Sequence, residues 1–298
     1  MKLSTHDMLK NVKSSTRIEI TGELLVKVQN SLLGILKDFV LVCEKYGFYY
    51  SLCGGSALGA IRNQGFIPWD DDIDVFMLRN DYNEFLKIFK KELGEKYYLH
   101  SLETTPEYGM PVTQLMKKGT IKRSFEIPPN VPCGLNIDIW ILDNAPDNRM
   151  CRSLHGLIST ILGLIVSCSR FYKTKDYLLA YFKEADNIVK KNIKKKAFIG
   201  KCISFCSLST WSLLYTRWNS IYKNNNSRYV VCATGTKHYF KEIFLRSEYC
   251  TTVPVKFEDT LLMVIKDADK ALTRLYGDYM KIPPIEKRET HFVSELKL

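Results

Sequence analysis

The chain lacks the N-terminal apolar segment that directs secretion. Its first 20 residues, MKLSTHDMLKNVKSSTRIEI, contain no apolar run of the length that a signal peptide needs. The nine cysteines are scattered along the chain, and their odd number leaves at least one of them unpaired. Together these features predict a cytoplasmic protein with reduced thiols.

Zinc ligands and long apolar runs are also scarce. Only Cys202 and Cys206 are spaced like ligands, and no second cysteine pair or nearby histidine completes a tetrahedral zinc site. The longest apolar stretch, Leu154 to Cys168, has 15 residues and includes His155, whereas a membrane-spanning helix needs about 20. We therefore predict a buried helix here, with a helix that dips into a membrane as the alternative.

Internal repeats and low-complexity linkers are absent, which favours one interlocked domain or two abutting lobes. Acidic residues are outnumbered, because 43 Lys and Arg face 32 Asp and Glu and the net charge is +11. This surplus favours anionic partners, namely nucleotide phosphates, nucleic acid or an anionic membrane surface. The hydrophobic content of 46% excludes wholesale disorder.

The pattern of apolar residues predicts an α+β protein with a mostly helical C-terminal half. The apolar residues between Glu23 and Tyr46 recur at helical spacing, and Gly47 follows them. Short segments typical of strands alternate with helical ones up to about residue 145, and residues 147–222 have almost entirely helical periodicity. We therefore place an α/β core at 1–145 and a mainly helical region at 146–298.

Two carboxylates alternate with apolar residues in the segment DDIDVFM. Asp72 and Asp74 alternate with Ile73, Val75 and Met77, which predicts a strand with both carboxylates on one face. Such carboxylates repel each other unless a cation lies between them, and their oxygens suit Mg²⁺ or Mn²⁺. Acidic runs more often form solvated turns, but a turn does not explain a carboxylate at position 74 among apolar residues.

A third carboxylate, Asp138, lies between Ile137 and Ile139 on another predicted strand. A buried charge on such a strand costs several kcal/mol unless it is paired. If the two strands are neighbours, Asp138 converges with Asp72 and Asp74 on one site.

A glycine turn precedes the acidic segment. Gly54, Gly55 and Ser56 follow a predicted strand and precede a short predicted helix, with Ser56 near its N-cap. Glycines let the backbone approach phosphate oxygens, and a helix N-terminus supplies N–H donors. A Gly-Gly turn alone is common, but beside a dicarboxylate strand it indicates attack at a nucleotide phosphorus.

Several segments share their order of residues with one enzyme family. They are LCGGSALGAIR at 52–62, GFIPWDDDID at 65–74, RNDY at 79–82, NIDIW at 136–140 and LYGDYM at 275–280, the last followed by Pro283-Pro284 and Lys287-Arg288. In these segments the chain resembles the LicD family of phosphotransferases. The chain departs from the family's pattern in two segments, Ile139-Trp140-Ile141 after the third acidic residue and VIKDADKAL before the last helix. These differences leave open which acceptor and which alcohol of the donor the chain is specific for.

The resemblance implies a nucleotidyltransferase fold and transfer of a phospho-alcohol from a CDP-activated donor to a hydroxyl of a glycan or lipid-linked glycan, with release of CMP. Phosphocholine is the expected group, and glycerol phosphate or ribitol phosphate are the alternatives. Gly54, Gly55 and Ser56 match the phosphate loop of the family. Asp72 and Asp74 match its metal-binding pair, whose expected ion is Mg²⁺, and position 138 matches its third acidic residue.

Other candidate residues surround this core. Arg62 and Arg79 are expected either to hold phosphate or to neutralise the acidic cluster. Trp69 is expected to stack on cytosine or cover a choline ammonium, or else to pack under its loop. The resemblance implies that residues 255–298 pack back to complete the site, with Tyr276, Tyr279 and Arg288 in the closing motif. Lys117, Lys118 and Lys122 are weaker phosphate candidates, expected to be solvated.

The lysine-rich run from Lys190 to Lys196 predicts a solvated helix face, or docking on an anionic membrane where a lipid-linked acceptor would lie.

Two other classes of function stay open. A nucleic-acid polymerase would share the Gly-Gly and Asp-x-Asp layout, but no nucleic-acid-binding module is recognisable, so no nucleic-acid partner is predicted. A catalytically inactive binding protein is disfavoured by the intact carboxylates.

Overall fold

The structure is a computed structural model that describes residues 18–183, 187–285, 288 and 292–298. Residues 1–17, on which the prediction about secretion rests, lie outside these ranges, as does Lys287 of the tail motif. The helices are α1 (Gly22–Tyr46), α2 (Gly54–Asn63), α3 (Arg79–Glu92), α4 (Arg149–Tyr181), α5 (Asn187–Cys202), α6 (Leu208–Asn219), α7 (His238–Lys241), α8 (Arg246–Tyr249) and α9 (Ala268–Tyr276). The strands are β1 (Ile18–Glu19), β2 (Tyr50–Leu52), β3 (Asp74–Leu78), β4 (Tyr97–His100), β5 (Thr113–Lys117), β6 (Ile121–Ser124), β7 (Asn136–Ala145), β8 (Tyr229–Val231), β9 (Ile243–Leu245), β10 (Thr252–Phe257), β11 (Thr260–Ile265) and β12 (Phe292–Lys297).

A mixed nine-stranded sheet forms the centre of the molecule. Its main order is β10-β11-β2-β3-β7-β5-β4, with β8 added to β7 and β9 added to β8. The central strands β3 and β7 are parallel, and β2 runs antiparallel to β3. The predicted α+β class with a mostly helical second half is therefore confirmed.

The central strands are apolar on one face and polar on the other. Val75 and Met77 of β3 are fully buried, as is Ile139 of β7, and they share one core with residues of α1. Asp74 and Asp138 alternate with them and are only half-buried. Period-two alternation has thus placed the carboxylates on the face opposite the α1 core.

Two boundaries differ from the sequence prediction. Helix α2 begins at Gly54, with Cys53 as N-cap, rather than near Ser56. Gly54 has a φ of +53°, a conformation that glycine adopts without the steric cost of a Cβ, so the glycines form the first turn of the helix itself. Strand β3 begins at Asp74, so Asp72 precedes it, although the alternation of burial continues through Asp72.

The second half of the chain is helical in α4 to α6 but also contributes strands to the sheet. Strand β11 pairs in parallel with β2, where Val264 lies opposite Leu52. Strand β12 pairs with β1 and β6 in a separate three-stranded sheet. The apolar stretch from Leu154 to Cys168 belongs to α4, a helix of 33 residues, so the helix is longer than the stretch alone indicates.

Candidate active site

Asp74 and Asp138 lie side by side at the centre of the sheet. They are directly opposite each other in the parallel pairing of β3 and β7, and the Asp138 N–H donates to the Ile73 carbonyl at 2.8 Å. The condition that the two acidic strands be neighbours is therefore met. The register brings together two carboxylates that are 64 residues apart in the sequence.

Each of these carboxylates accepts hydrogen bonds from a neighbouring side chain. Trp140 Nε1 donates to Asp74 Oδ1 at 2.8 Å, while Gln114 Nε2 and Asn136 Nδ2 donate to Asp138 Oδ1 at 3.0 and 2.5 Å. Donors of this kind fix the orientation of a carboxylate and stabilise its charge.

These supporting side chains received no role in the sequence analysis. Asn136 and Trp140 alternate with Ile137 and Ile139 in the sequence, as Asp138 does, and this alternation is the signal that could have found them. Gln114 carried no signal, because its position opposite Asp138 depends on the antiparallel pairing of β5 with β7.

The glycine turn is joined to the acidic strand by hydrogen bonds. The Asp74 N–H donates to Ser56 Oγ at 2.9 Å, and the Cys53 N–H donates to the Asp74 carbonyl at 3.0 Å. A Cβ on Gly54 would lie 3.2 Å from Asp74 Oδ2, and one on Gly55 would lie 2.9 Å from Asp70 Oδ2. Side chains at these positions would therefore crowd the carboxylates.

Arg62 extends from α2 toward the C-terminal tail motif. Its Nη1 donates to the Tyr279 carbonyl at 2.9 Å, and its Nε donates to Asn63 Oδ1 at 3.0 Å. Its Nη2 is buried and, within the part of the chain that the structure describes, has no hydrogen-bond partner. A buried donor of this kind suits an acceptor supplied by a ligand, such as a phosphate oxygen.

Trp69 lies between two arginines. The Arg288 guanidinium is 4.1 Å from the centroid of its ring and the Arg62 guanidinium is 5.9 Å away. Trp69 is also partly buried against the main core, so it packs under its loop. A cytosine or an ammonium at this ring would have to share or displace the Arg288 contact.

The tail motif approaches the glycine turn as well. Tyr276 Oη lies 3.8 Å from the position that a Cβ on Gly54 would occupy. Residues that the sequence separates by more than 200 positions thus surround the same glycine turn.

Arg79 does not belong to this site. Its Nε and Nη2 donate to Asp143 at 2.6 and 3.2 Å, and its Nη1 donates to Glu103 at 2.9 Å. Burial by itself would lower the pKa of Arg79, but Asp143 and Glu103 raise it above its ordinary value. Asp143 and Glu103 thus engage all three of its nitrogens, which disfavours the prediction that Arg79 holds phosphate or neutralises the cluster of Asp72 and Asp74.

Lys122 is not solvated as predicted. Its side chain is 12% exposed and forms an ion pair with Asp71 Oδ2 at 2.9 Å. Asp71 is itself buried, so this pair anchors the acidic segment to β6. Lys118 lies over the ring of Tyr98, and Lys117 is exposed.

A cluster of three metal ligands is not preformed. In the described ranges, no group of three or more His, Cys, Asp or Glu side chains is placed to hold a metal ion. The expected convergence of Asp72, Asp74 and Asp138 therefore reduces to the neighbouring pair Asp74 and Asp138, with Asp72 just before the strand. Mg²⁺ is commonly held by one or two carboxylates together with substrate phosphates, and the residues present fit that arrangement.

Cys53 is a buried thiol beside this pair. Burial raises its pKa well above the ordinary value, and the charge of Asp74 raises it further. Because the thiolate is the nucleophilic form, Cys53 is unsuited to covalent catalysis at neutral pH.

Comparison with known proteins agrees with this geometry. A family model described as the LicD/FKTN/FKRP nucleotidyltransferase domain matches residues 47–148, which include the glycine turn and both acidic strands. The chain is 30% identical over 266 residues to the lipopolysaccharide cholinephosphotransferase LicD of Haemophilus influenzae, a match that covers 88% of this chain and 94% of that protein.

Shorter matches are to uncharacterised proteins of two Rickettsia species. One from Rickettsia typhi is 38% identical over 66 residues, or 22% of this chain and 21% of that protein. One from Rickettsia prowazekii is 39% identical over 51 residues, or 17% of this chain and 19% of that protein. The similarity to the Haemophilus protein runs through nearly all of both sequences, and it establishes that the chain belongs to the LicD family.

Proposed function

We propose that this chain transfers phosphocholine from CDP-choline to a hydroxyl group of a lipopolysaccharide-type glycan and releases CMP. The similarity to a lipopolysaccharide cholinephosphotransferase over 94% of its length supports the phosphocholine group and the glycan acceptor. The observation that carries the chemistry is the Asp74–Asp138 pair beside a glycine turn where added side chains would crowd the carboxylates.

We assign Asp74 and Asp138 to a Mg²⁺ ion, with Asp72, just before the strand, as a further predicted ligand and Mn²⁺ as an alternative ion. When bound, the ion would neutralise charge on the donor's pyrophosphate and stabilise the departing CMP. The ligands from the chain would be supplied mainly by the pair on β3 and β7, and phosphate oxygens would fill other positions.

The protein groups around the pair have separate tasks. Trp140 holds Asp74 in one orientation, while Gln114 and Asn136 hold Asp138. Two donors on one oxygen stabilise the charged form of Asp138, which favours a role as ligand over a role as general base. Asp138 therefore need not accept the proton of the attacking hydroxyl, because a bound ion would lower the pKa of that hydroxyl enough for water to take up the proton.

Phosphate contacts would come from α2 and its surroundings. The glycines of the first turn permit close approach of the backbone, and the N-terminal end of the helix favours negative charge. The buried Nη2 of Arg62, unpartnered within the described residues, would donate to a phosphate oxygen. Arg288 over Trp69 would close the same side of the site.

The test is release of CMP from separate incubations with CDP-choline, CDP-ethanolamine, CDP-glycerol and CDP-ribitol, each with Mg²⁺ and a lipopolysaccharide acceptor. We expect CMP with CDP-choline and a matching increase in the mass of the acceptor. Asp74→Asn and Asp138→Asn should each lower the rate at least about a hundredfold, as expected for loss of a group that acts on the reacting phosphate. Asp176→Asn, at an exposed position of α4, should leave the rate unchanged.

Four outcomes would contradict parts of this proposal. Absence of CMP from all four donors, with folded protein, would overturn the CDP-dependent reaction. Turnover that survives EDTA would overturn the metal assignment. Release of CMP from CDP-ribitol or CDP-glycerol alone would show that the transferred group is ribitol phosphate or glycerol phosphate and not phosphocholine. Incorporation of nucleotide into RNA without release of CMP would favour a polymerase.

A further inference from the structure

One face of α4 is apolar along most of its length but is covered along only part of it. In the C-terminal half of α4, Cys168, Phe171 and Leu178 are buried at heptad-like spacing. Helix α5 covers them, since a Cβ on Gly200 would lie 2.2 Å from the Cys168 carbonyl and Lys196 Nζ lies 4.5 Å from the centroid of the Phe171 ring.

The same spacing of three and four residues continues toward the N-terminus of α4 through side chains that are exposed. We call these five residues the α4 stripe. Their exposed fractions are Met150 82%, Leu154 59%, Leu157 53%, Ile161 48% and Leu164 40%. Because residues at this spacing share one helix face, the stripe is the uncovered continuation of the face that α5 covers.

The chemistry around the stripe favours lipid over a water-soluble partner. No charged residue occurs in α4 from Ser153 to Ser169. Helices that pair in water usually carry charged residues beside their apolar seam, and beside the stripe only Arg149 and Arg152, next to Met150, are charged. Within the described ranges, α4 is also the one helix that is long and apolar enough to cross a membrane, judged by length and composition.

The opposite face of α4 holds the helix in the fold. His155 bonds to Tyr239 Oη at 2.8 Å and to the Trp218 carbonyl at 2.9 Å, and Ser159 donates to Asn219 at 2.7 Å. A helix that left the fold to cross a bilayer would lose all of these buried bonds. The geometry therefore favours a helix that lies on a membrane.

Helix α5 presents lysines on the side away from α4. Lys196 is the exception in the lysine-rich run, because it is buried toward α4, where burial lowers its pKa to about 8. The exposed residues of the outer face are Ile188, Lys191, Lys194, Lys195, Phe198 and Lys201. Phe198 is 68% exposed, so this face combines positive charge with exposed apolar side chains, as membrane-surface helices do.

We propose that the α4 stripe and the outer face of α5 dock together on an anionic lipid bilayer. The stripe enters the boundary between headgroups and acyl chains, and the lysines of α5 contact the anionic headgroups. The protein lies on the bilayer without crossing it. This docking does not depend on the proposed reaction. Only its purpose, which is to bring the protein to a glycan acceptor attached to a lipid, rests on the proposed function.

The test is cosedimentation of the full-length protein with vesicles. We expect binding to phosphatidylcholine vesicles that contain phosphatidylglycerol, and much weaker binding to phosphatidylcholine alone. The double variant Leu157→Glu/Ile161→Glu should lower the partition coefficient at least about tenfold, because two apolar contacts with lipid become charges. The matched control Val26→Glu/Leu41→Glu changes two exposed apolar residues of α1 and should bind like the wild type.

A second pair of variants tests the lysines. Lys191→Gln/Lys194→Gln/Lys195→Gln should weaken binding to the anionic vesicles about a hundredfold, because three positive charges near the headgroups are removed. The equal change of charge on α3, Lys87→Gln/Lys90→Gln/Lys91→Gln, should have little effect. Thermal unfolding measured for each variant ensures that folded proteins are compared.

Three results would overturn the proposal. The first is absence of binding of the wild type to anionic vesicles. The second is equal binding by the stripe variant and its α1 control. The third is a dimer in light scattering that dissociates in the stripe variant while vesicle binding is absent, which would assign the stripe to a second copy of the chain.

Discussion

Trp140 connects two central strands at the candidate site, because its indole N–H on β7 donates to Asp74 on β3. We expect Trp140→Phe to lower kcat about tenfold or more, since loss of a side chain that orients a metal-binding carboxylate typically costs that much. Steady-state kinetics with the proposed donor, CDP-choline, measure the effect. Trp218→Phe removes the same kind of donor, which bonds to the His155 carbonyl and not to an acidic residue of the site. Equal rates in the two variants would contradict a positioning role for Trp140.

Gly54 lacks a side chain at a position where a Cβ would lie close to a carboxylate of the site. In Gly54→Ala, the new Cβ would lie 3.2 Å from Asp74 Oδ2 and the residue would keep a positive φ. Gly119→Ala is the control, because its φ of +81° carries the same backbone penalty with nothing within 4 Å of the Cβ. We expect both variants to lose about 1 kcal/mol of stability, and only Gly54→Ala to lose about a hundredfold in kcat. Denaturant unfolding and kinetics on both variants separate the two effects.

At the scale of elements, a buried ion pair joins the start of α3 to the far end of β7. Arg79 and Asp143 are 7% and 1% exposed. Arg79→Met leaves the Asp143 charge buried without its main partner, so we expect the free energy of unfolding to fall by about 3–5 kcal/mol. Arg79→Met/Asp143→Leu should recover part of this loss in urea unfolding.

The same variant also tests whether Arg79 contacts the substrate. At a temperature where Arg79→Met remains folded, its KM for the proposed CDP-choline donor should equal that of the wild type. A large increase in KM with unchanged stability would show that Arg79 binds phosphate after all.

At the scale of the whole molecule, stability should depend on pH through His100. Burial in β4 lowers the pKa of His100 to about 4, from an unfolded value near 6.5. As the pH falls from 6.5 to 4, the unfolded chain takes up a proton that the folded protein does not, so the free energy of unfolding decreases. The loss attributable to this residue is at most about 3 kcal/mol.

Urea unfolding between pH 7 and pH 4 measures this loss. In His100→Asn, which keeps an acceptor or donor near Thr105, the free energy of unfolding should depend less on pH than in the wild type. His238→Asn, at an exposed position, should leave the curve unchanged. Parallel curves for the wild type and His100→Asn would contradict the assignment.

Sequence by itself determined the features that depend on local periodicity. The 3.6-residue period and Gly47 determined α1, and the alternation around Asp74 determined which face of β3 carries carboxylates. The order of residues from 52 to 74 also determined the family, because it concentrates glycine, arginine, tryptophan and aspartate in one short interval.

Tertiary structure decided everything that depends on which distant segments meet. Pairing of β3 with β7 places Asp138 beside Asp74, and pairing of β5 with β7 places Gln114 opposite Asp138. Arg79 had a phosphate-binding pattern in the sequence, but burial beside Asp143 gave it a structural role. Strand register and burial arise from contacts between remote parts of the chain, so no local pattern of residues encodes them.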